Sequence, residues 1–125
     1  MNSKIFQREA LESVVGYKFN DPKVLKQALT HASLERSSWN VYERLEFLGD
    51  RVLGLIIAQT LLKRFPDERE GQISRRYAHL VRRESLATVA RKINFGNYLL
   101  ISAGEEAAGA RQSITILSDS LEAVI

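Results

Sequence analysis

The stretch of sequence that decides the fold runs without proline from Val41 to Arg64 and reads VYERLEFLGDRVLGLIIAQTLLKR. Its apolar residues surround most of the circumference of a helix, which is typical of a helix in the middle of its domain. Phe65-Pro66-Asp67 ends this helix, because proline cannot continue it. We therefore predict a long central helix that is buried on most of its surface.

Shorter helices are predicted on both sides of the central helix. Asp21-Pro22 is a typical helix start, an N-cap residue followed by proline in the first turn. Small residues and glycine between 102 and 111 indicate an irregular loop. No pair of strands with a two-residue turn is visible, so the predicted fold class is all-α, a helical bundle around the central helix. The flanking helices are predicted over residues 5–15, 22–31, 73–81, 85–93 and 114–125.

Length and composition narrow the class of protein. The chain has 125 residues, which suits one domain, and its 45% hydrophobic and 26% charged residues exclude a disordered or fibrous chain. The sequence contains no cysteine, so any metal must be held by oxygen atoms or by the two histidines, His31 and His79. We expect both histidines to be ordinary helix residues without a role in catalysis. There is no secretory signal and no apolar run long enough for a bilayer, so we expect no membrane association and a cytoplasmic location.

Charge is distributed unevenly along the chain, whose formal net charge is +3. Residues 63–92, here called the basic segment, carry nine basic and four acidic side chains, including Arg75, Arg76, Arg82 and Arg83. Residues 93–125 carry one basic and four acidic side chains. The basic segment is compatible both with a solvated helix face and with a surface that binds phosphates.

Three carboxylates interrupt the apolar pattern of the central helix. Glu43, Glu46 and Asp50 are spaced at i, i+3 and i+7, so they share one stripe of the helix. Their repulsion requires a positive charge nearby, and Arg44 and Arg51 are expected to point to other faces. Either an arginine from another element or a bound cation must therefore supply that charge.

A second acidic pair, Asp119 and Glu122, is spaced at i, i+3 in the last predicted helix. Together with Glu46 and Asp50 it would form a hard oxygen site suited to Mg²⁺ or Mn²⁺. Structural salt bridges on exposed helices are the alternative explanation of this spacing. The sequence lacks the Glu-x-x-His, HExxH, GxxxxGK[ST] and GxSxG patterns, which excludes several other metal, nucleotide and hydrolase sites.

The run from Glu43 to Asp50, ERLEFLGD, closely resembles the signature of the ribonuclease III family, the double-stranded-RNA endonucleases. The similarity extends over essentially the whole chain. It includes the segments Leu29-Thr30-His31-Ala32-Ser33, Glu70-Gly71, Gly104-Glu105 and Asp119-Ser120-Leu121-Glu122-Ala123. The resemblance implies a ribonuclease III catalytic-domain fold over residues 1–125.

The resemblance also implies a metal site and a reaction. Glu46, Asp119 and Glu122 match the Mg²⁺ ligands of the family, where Mn²⁺ can substitute, and Asp50 and Glu122 match its catalytic residues. The implied reaction is cleavage of double-stranded RNA to 5′-phosphate products with short 3′ overhangs, in the processing of ribosomal, messenger and transfer RNA. No organic cofactor is implied.

The family further implies a homodimer, and three residues match positions that depend on it. Glu43 and Glu70 match acidic positions of the valley in which the dimer holds its substrate. Phe47 matches a position in the subunit interface, although core packing would explain an apolar residue there equally well.

Some features depart from the family pattern. Bacterial members continue into a C-terminal double-stranded-RNA-binding domain, whereas this sequence stops three residues after Glu122 in an apolar Ala-Val-Ile run, so we expect a truncated protein. Tyr42 stands where asparagine is more common, and Arg51 where a small residue is common. The alternative function is a catalytically weak RNA-binding or dimerisation module of the same fold.

Overall fold

The computed structural model describes residues 5–34 and 40–125, and this part of the chain is built from α-helices and short 3₁₀ helices. The α-helices are α1 (Arg8–Val15), α2 (Pro22–Leu29), α3 (Val41–Arg64), α4 (Glu70–Val81), α5 (Arg83–Lys92), α6 (Ala103–Ala107) and α7 (Ile114–Val124). The 3₁₀ helices are Ala32–Leu34, Phe95–Tyr98 and Ala110–Gln112. Extended pairing in these residues is limited to one isolated parallel bridge between Thr30 and Leu100, so the predicted all-α class is confirmed.

Several predicted element boundaries were wrong. The segment 102–111 contains α6 and a 3₁₀ helix, because the Ser102 hydroxyl caps α6 by accepting a hydrogen bond from the Glu105 backbone N–H. Helix α4 begins three residues early, at Glu70, where the Gln72 side chain accepts a hydrogen bond from the Arg69 N–H. Helix α2 ends at Leu29, so His31 lies outside it.

The core forms where α7 packs between α3 and α5. Helices α1 and α2 close one end of this core, and the 3₁₀ helix Phe95–Tyr98 closes another. The most deeply buried large side chains are apolar: Leu11, Leu25, Leu29, Phe95, Leu99, Ile101 and Leu117. Arg111 is also buried and connects the loops before α7, since its guanidinium donates to the carbonyls of Gly96 and Leu99 and pairs with Glu106. This packing makes α7 a rigid partner for α3.

Helix α3 is long, as predicted, but its predicted burial was wrong. Only Tyr42, Gly49, Gly54 and Leu61 are buried within it. Its neighbours cover one side, and large apolar side chains on the rest of its surface remain exposed in this single chain. The exposed residues are Phe47 (61%), Leu48 (59%), Leu55 (70%), Ile56 (49%) and Leu62 (63%).

Helices α3 and α7 come into close backbone contact at Gly49. A Cβ atom at this position would fall on the backbone carbonyl of Glu122, so glycine is required there for the two helices to touch. A buried hydrogen bond of 2.8 Å between the Tyr42 and Ser120 hydroxyls joins the same two helices. The acidic residues of α3 and α7 are thereby brought together.

The structure also bears on membrane association. In residues 5–34 and 40–125, every helix is too short or too polar to cross a bilayer.

Candidate active site

A cleft of about 690 Å³ opens between α3, α7 and the start of α5. Most of its lining side chains are charged. They include the two acidic groups predicted from the sequence, brought together here from helices about 70 residues apart in the chain. The lining residues are Glu43, Glu46, Phe47, Asp50, Arg51, Arg83, Ser118, Asp119 and Glu122.

Glu46 and Asp119 line the same cleft at the junction of α3 and α7, close enough to influence each other's ionisation. Partial burial, followed by the negative charges of Asp119 and Glu43, raises the pKa of Glu46 to about 7. Burial also raises the pKa of Asp119 above its usual range, although the nearby Arg83 opposes this. Both carboxyls therefore retain protons to higher pH than exposed carboxyls do.

Glu122, one turn further along α7, is in the same situation. Burial raises its pKa to about 7, and the charges of Asp50, Asp119 and Glu46 add to the effect in that order. Carboxyls with such raised pKa values mark a place where negative charge exceeds the available compensation. Clusters of this kind in a cleft are candidate functional sites.

Two arginines supply the positive charge of the cleft. Arg51 lies 3.1 Å from Asp50 (Nη1 to Oδ2), so the expectation that it points away from the acidic stripe was wrong. Its long side chain curls back over the helix surface, where the guanidinium also stacks 3.9 Å from the centre of the Phe47 ring. Arg83 approaches from α5 and lies 3.9 Å from Asp119 (Nη2 to Oδ1).

The donor set of the cleft fits a hard divalent cation, since its ligating groups are carboxylates and their charge is under-compensated. Glu46, Asp119 and Glu122 are the residues that would hold such an ion. Within residues 5–34 and 40–125, however, no three or more His, Cys, Asp or Glu side chains are grouped closely enough to bind a metal as they stand. The carboxylates would have to lose protons and draw together around an ion.

The remaining predicted residues lie at the edge of the cleft or outside it. Glu43 and Phe47 line the cleft, whereas Glu70 starts α4 outside it and accepts a 2.7 Å hydrogen bond from Ser74. Of the basic segment, only Arg83 lines the cleft. Arg76 instead pairs with Glu68 and stacks on Phe65 in a separate groove beside α4.

Two residues at or beside the cleft were not singled out from the sequence. Arg83 belongs to a charge run that has no periodic relation to the acids, so no sequence signal could single it out. Tyr42 was regarded only as a departure from the family pattern, but it is buried and bonded to Ser120, next to Asp119. Burial raises the pKa of Tyr42, so its hydroxyl stays protonated.

Comparison with known proteins identifies relatives over most of the chain. The family model described as ribonuclease-III-like matches residues 21–125. Ribonuclease 3 of Solibacter usitatus is 46% identical over 124 residues, which cover 92% of this chain and 46% of that protein. Ribonuclease 3 of Ruegeria pomeroyi is 44% identical over 119 residues, with 95% and 53% covered. The chain thus spans about half the length of the curated relatives it matches.

Solved structures with the same fold include the nuclease domain of ribonuclease III from Campylobacter jejuni. One structure of that domain has a TM-score of 0.87 and 42% identity, and covers 94% of this chain and 81% of its own. Structural flexibility in a region involved in dimer formation is described for it. The match includes the fold and both acidic helices that line the cleft, so this chain belongs to the ribonuclease III family, as the run from Glu43 to Asp50 predicted.

Proposed function

We propose that this domain is the catalytic part of a Mg²⁺-dependent endonuclease that cleaves double-stranded RNA. One observation carries the proposal: five carboxylates from α3 and α7 line one cleft in a chain of the ribonuclease III family, and four of them are proposed to act in catalysis or metal binding. These four residues are Glu46, Asp50, Asp119 and Glu122. The proposed products carry a 5′ phosphate and a short 3′ overhang.

The residues of the cleft suit the hydrolysis of a phosphodiester. Bound divalent cations supply a water that is nucleophilic at neutral pH and stabilise the charge on the leaving oxygen. Glu46, Asp119 and Glu122 would hold those cations in their deprotonated forms. In the metal-free domain Glu122 binds or releases a proton near neutral pH, because its pKa is then about 7. Asp50 is half exposed and placed near Glu122, where its carboxylate can orient a water molecule.

The exposed apolar side of α3 supports a homodimer. Leu48, Leu55 and Leu62 follow one another at intervals of seven residues and lie on one stripe beside Phe47. We call these four residues the α3 apolar face. Exposed apolar stripes of this kind are typical of protein interfaces. In the proposed dimer, Phe47 belongs to the interface, and Glu43 and Glu70 contribute to the valley that receives RNA.

The proposed substrate follows from the family. We propose that RNA is bound through its phosphates and 2′-hydroxyls, because the narrow major groove of an A-form duplex hides the base edges. Basic residues of the segment 63–92 are candidates for these contacts. Processing of ribosomal, messenger and transfer RNA, and a cytoplasmic location, stay predictions.

A second candidate is a catalytically weak module that binds RNA or dimerises. The observation that favours it is the lack of a ready metal-binding group among the described residues. This candidate predicts duplex binding without turnover.

Incubation with a long RNA duplex at low salt separates the two candidates. The proposed endonuclease should cut the duplex in Mg²⁺ and leave it intact in EDTA. Single-stranded RNA of the same sequence is the matched control substrate and should be spared. Binding of the duplex without metal-dependent cleavage would instead support the second candidate.

A further inference from the structure

Arg83 differs from Arg51, the other arginine of the cleft, because its guanidinium donates no hydrogen bond within the described residues. Arg51 is held by the carboxylate of Asp50 at 3.1 Å and by the ring of Phe47. Within the described residues Arg83 forms one ion pair, with Asp119 at 3.9 Å, which is beyond hydrogen-bond distance, and its charge also acts on Glu46 and Glu122. Its donors therefore remain available to a ligand.

The position of Arg83 directs these donors toward the mouth of the cleft. Its side chain is 54% exposed, whereas that of Asp119 is 22% exposed, so Arg83 is the more accessible member of the pair. Arg83 is also the first residue of α5, where the helix dipole adds positive potential. The cleft thus receives positive charge from α5 as well as from Arg51 of α3.

A polyanion entering this cleft meets five carboxylates and two arginines. Cations bound by the carboxylates would serve the phosphate that is cut, and Arg83 would then be released from its electrostatic attraction to Asp119. The guanidinium presents several donors in one plane, which match the oxygens of a phosphate. Because Arg83 lines the same cleft as these carboxylates, the phosphate that it would meet is one next to the scissile phosphate.

We propose that Arg83 is a positioning residue that binds an RNA backbone phosphate adjacent to the scissile phosphate. This inference rests on the proposed function, since it assumes that RNA occupies the cleft. It assigns a role to one member of the basic segment, and it separates Arg83 from Arg76, which is already paired and lies in another groove.

The test compares Arg83→Ala, Arg83→Lys and the control Lys26→Ala in a Glu122→Gln background, where bound RNA should stay intact. Arg83→Ala should weaken duplex binding about tenfold at low salt. It should also reduce the slope of log Kd against log salt concentration by about one per active site. Arg83→Lys should keep the slope and recover part of the affinity. Lys26→Ala removes a charge from the exposed side of α2 and should change neither quantity.

Two further measurements distinguish positioning of RNA from support of the acidic cluster. With Glu122 intact, Arg83→Ala should raise KM more than it lowers kcat. Thermal stabilisation by Mn²⁺ should be retained in Arg83→Ala, because the competing positive charge is gone. Loss of that stabilisation would overturn the proposal and assign Arg83 to the carboxylates.

The inference and the proposed function can fail separately. If the unaltered domain binds duplex RNA but does not cut it in Mg²⁺, the proposed function is wrong, and the salt slopes still decide the role of Arg83. If the unaltered domain cuts RNA and Arg83→Ala has the same KM and the same slope, Arg83 does not position the substrate. Absence of any duplex binding would refute both.

Discussion

Burial raises the pKa of Glu46 and of Glu122 to about 7. The two residues lie on α3 and α7, which touch at Gly49. In an unfolded chain the same carboxyls would titrate near 4.5. Between these two pH values the folded protein binds more protons than the unfolded one. The free energy of unfolding is therefore higher when these carboxyls are protonated and lower when they are ionised.

The pH dependence of stability in EDTA follows from this difference. The contribution of these groups to the free energy of unfolding should fall as the pH rises through the interval from about 4.5 to about 7, because the unfolded state then ionises first. Thermal melting at a series of pH values should show the decline. Glu122→Gln, which removes one of the groups, should have a shallower decline, and parallel curves for the two proteins would contradict the assignment.

Glu122→Gln should also separate catalysis from binding. The amide keeps the size of the side chain but removes a proposed metal ligand and its negative charge. We expect duplex cleavage to fall by about a thousandfold or more, while duplex binding stays measurable. Glu105→Gln, an exposed substitution in α6, is the matched control. Equal loss of cleavage and binding in Glu122→Gln would refute the role proposed for Glu122.

The positions of the acidic residues could be predicted from the sequence better than those of the arginines that neutralise them. Glu46 and Asp50 share a stripe because helical spacing is a local property, and α3 has the predicted helical geometry. The direction of a long arginine side chain depends on tertiary surroundings, so the position of Arg51 was predicted wrongly. The approach of Arg83 depends on how α5 packs on α7, which the local pattern does not contain.

At the scale of a helix, the contact between α3 and α7 depends on Gly49. Gly49→Ala should push the Glu122 backbone away and destabilise the protein by about 3 kcal/mol or more, because overpacking here meets backbone rather than a flexible side chain. Cleavage should fall as well, since the two acidic helices separate. Urea denaturation measures the first effect and duplex cleavage the second.

Gly71 provides the matched control for that substitution. It lies in α4, and a Cβ atom there would meet nothing within 4 Å. Gly71→Ala should leave stability unchanged or raise it by up to about 1 kcal/mol, through helix propensity. A similar loss of stability in both variants would show that the close approach at Gly49 has no special importance.

The burial of α3 shows where helix-level prediction stops. Apolar periodicity indicates which side chains are buried in the assembled protein. It does not distinguish burial in the core of one chain from burial in an interface between chains. Leu55 fits the pattern of a buried helix, yet it is 70% exposed in this chain. The segment 102–111 was misread for a different reason: capping by Ser102 stabilises a helix too short to produce a periodic signal.

At the scale of the whole molecule, the α3 apolar face predicts a dimer that charge should disrupt. Leu55→Glu places a carboxylate on this face in both copies of a symmetric interface. The dissociation constant should rise about a hundredfold or more, as expected when two unpaired charges are buried. Analytical ultracentrifugation over a concentration series measures the change. Val24→Glu, on the exposed side of α2, is the control and should leave assembly unchanged.

An unaltered association constant in Leu55→Glu would show that the dimer, if formed, uses another surface.

The family, the fold class and the acidic residues of the cleft could be predicted for the whole molecule because the run from Glu43 to Asp50 is long and specific. The relation between two copies could not be derived from periodicity, since a single chain contains only one side of the contact.

The raised pKa values of Glu46 and Glu122 have a consequence for ion uptake. A divalent cation that bound in the cleft at neutral pH would have to displace the protons that these carboxyls partly retain, so the proposed site would act as an ion exchanger. The net charge transferred into the protein is then smaller than the charge of the ion. The heat of binding would consequently include the ionisation heat of the buffer that takes up the protons, and acidification would empty the site without any competing metal.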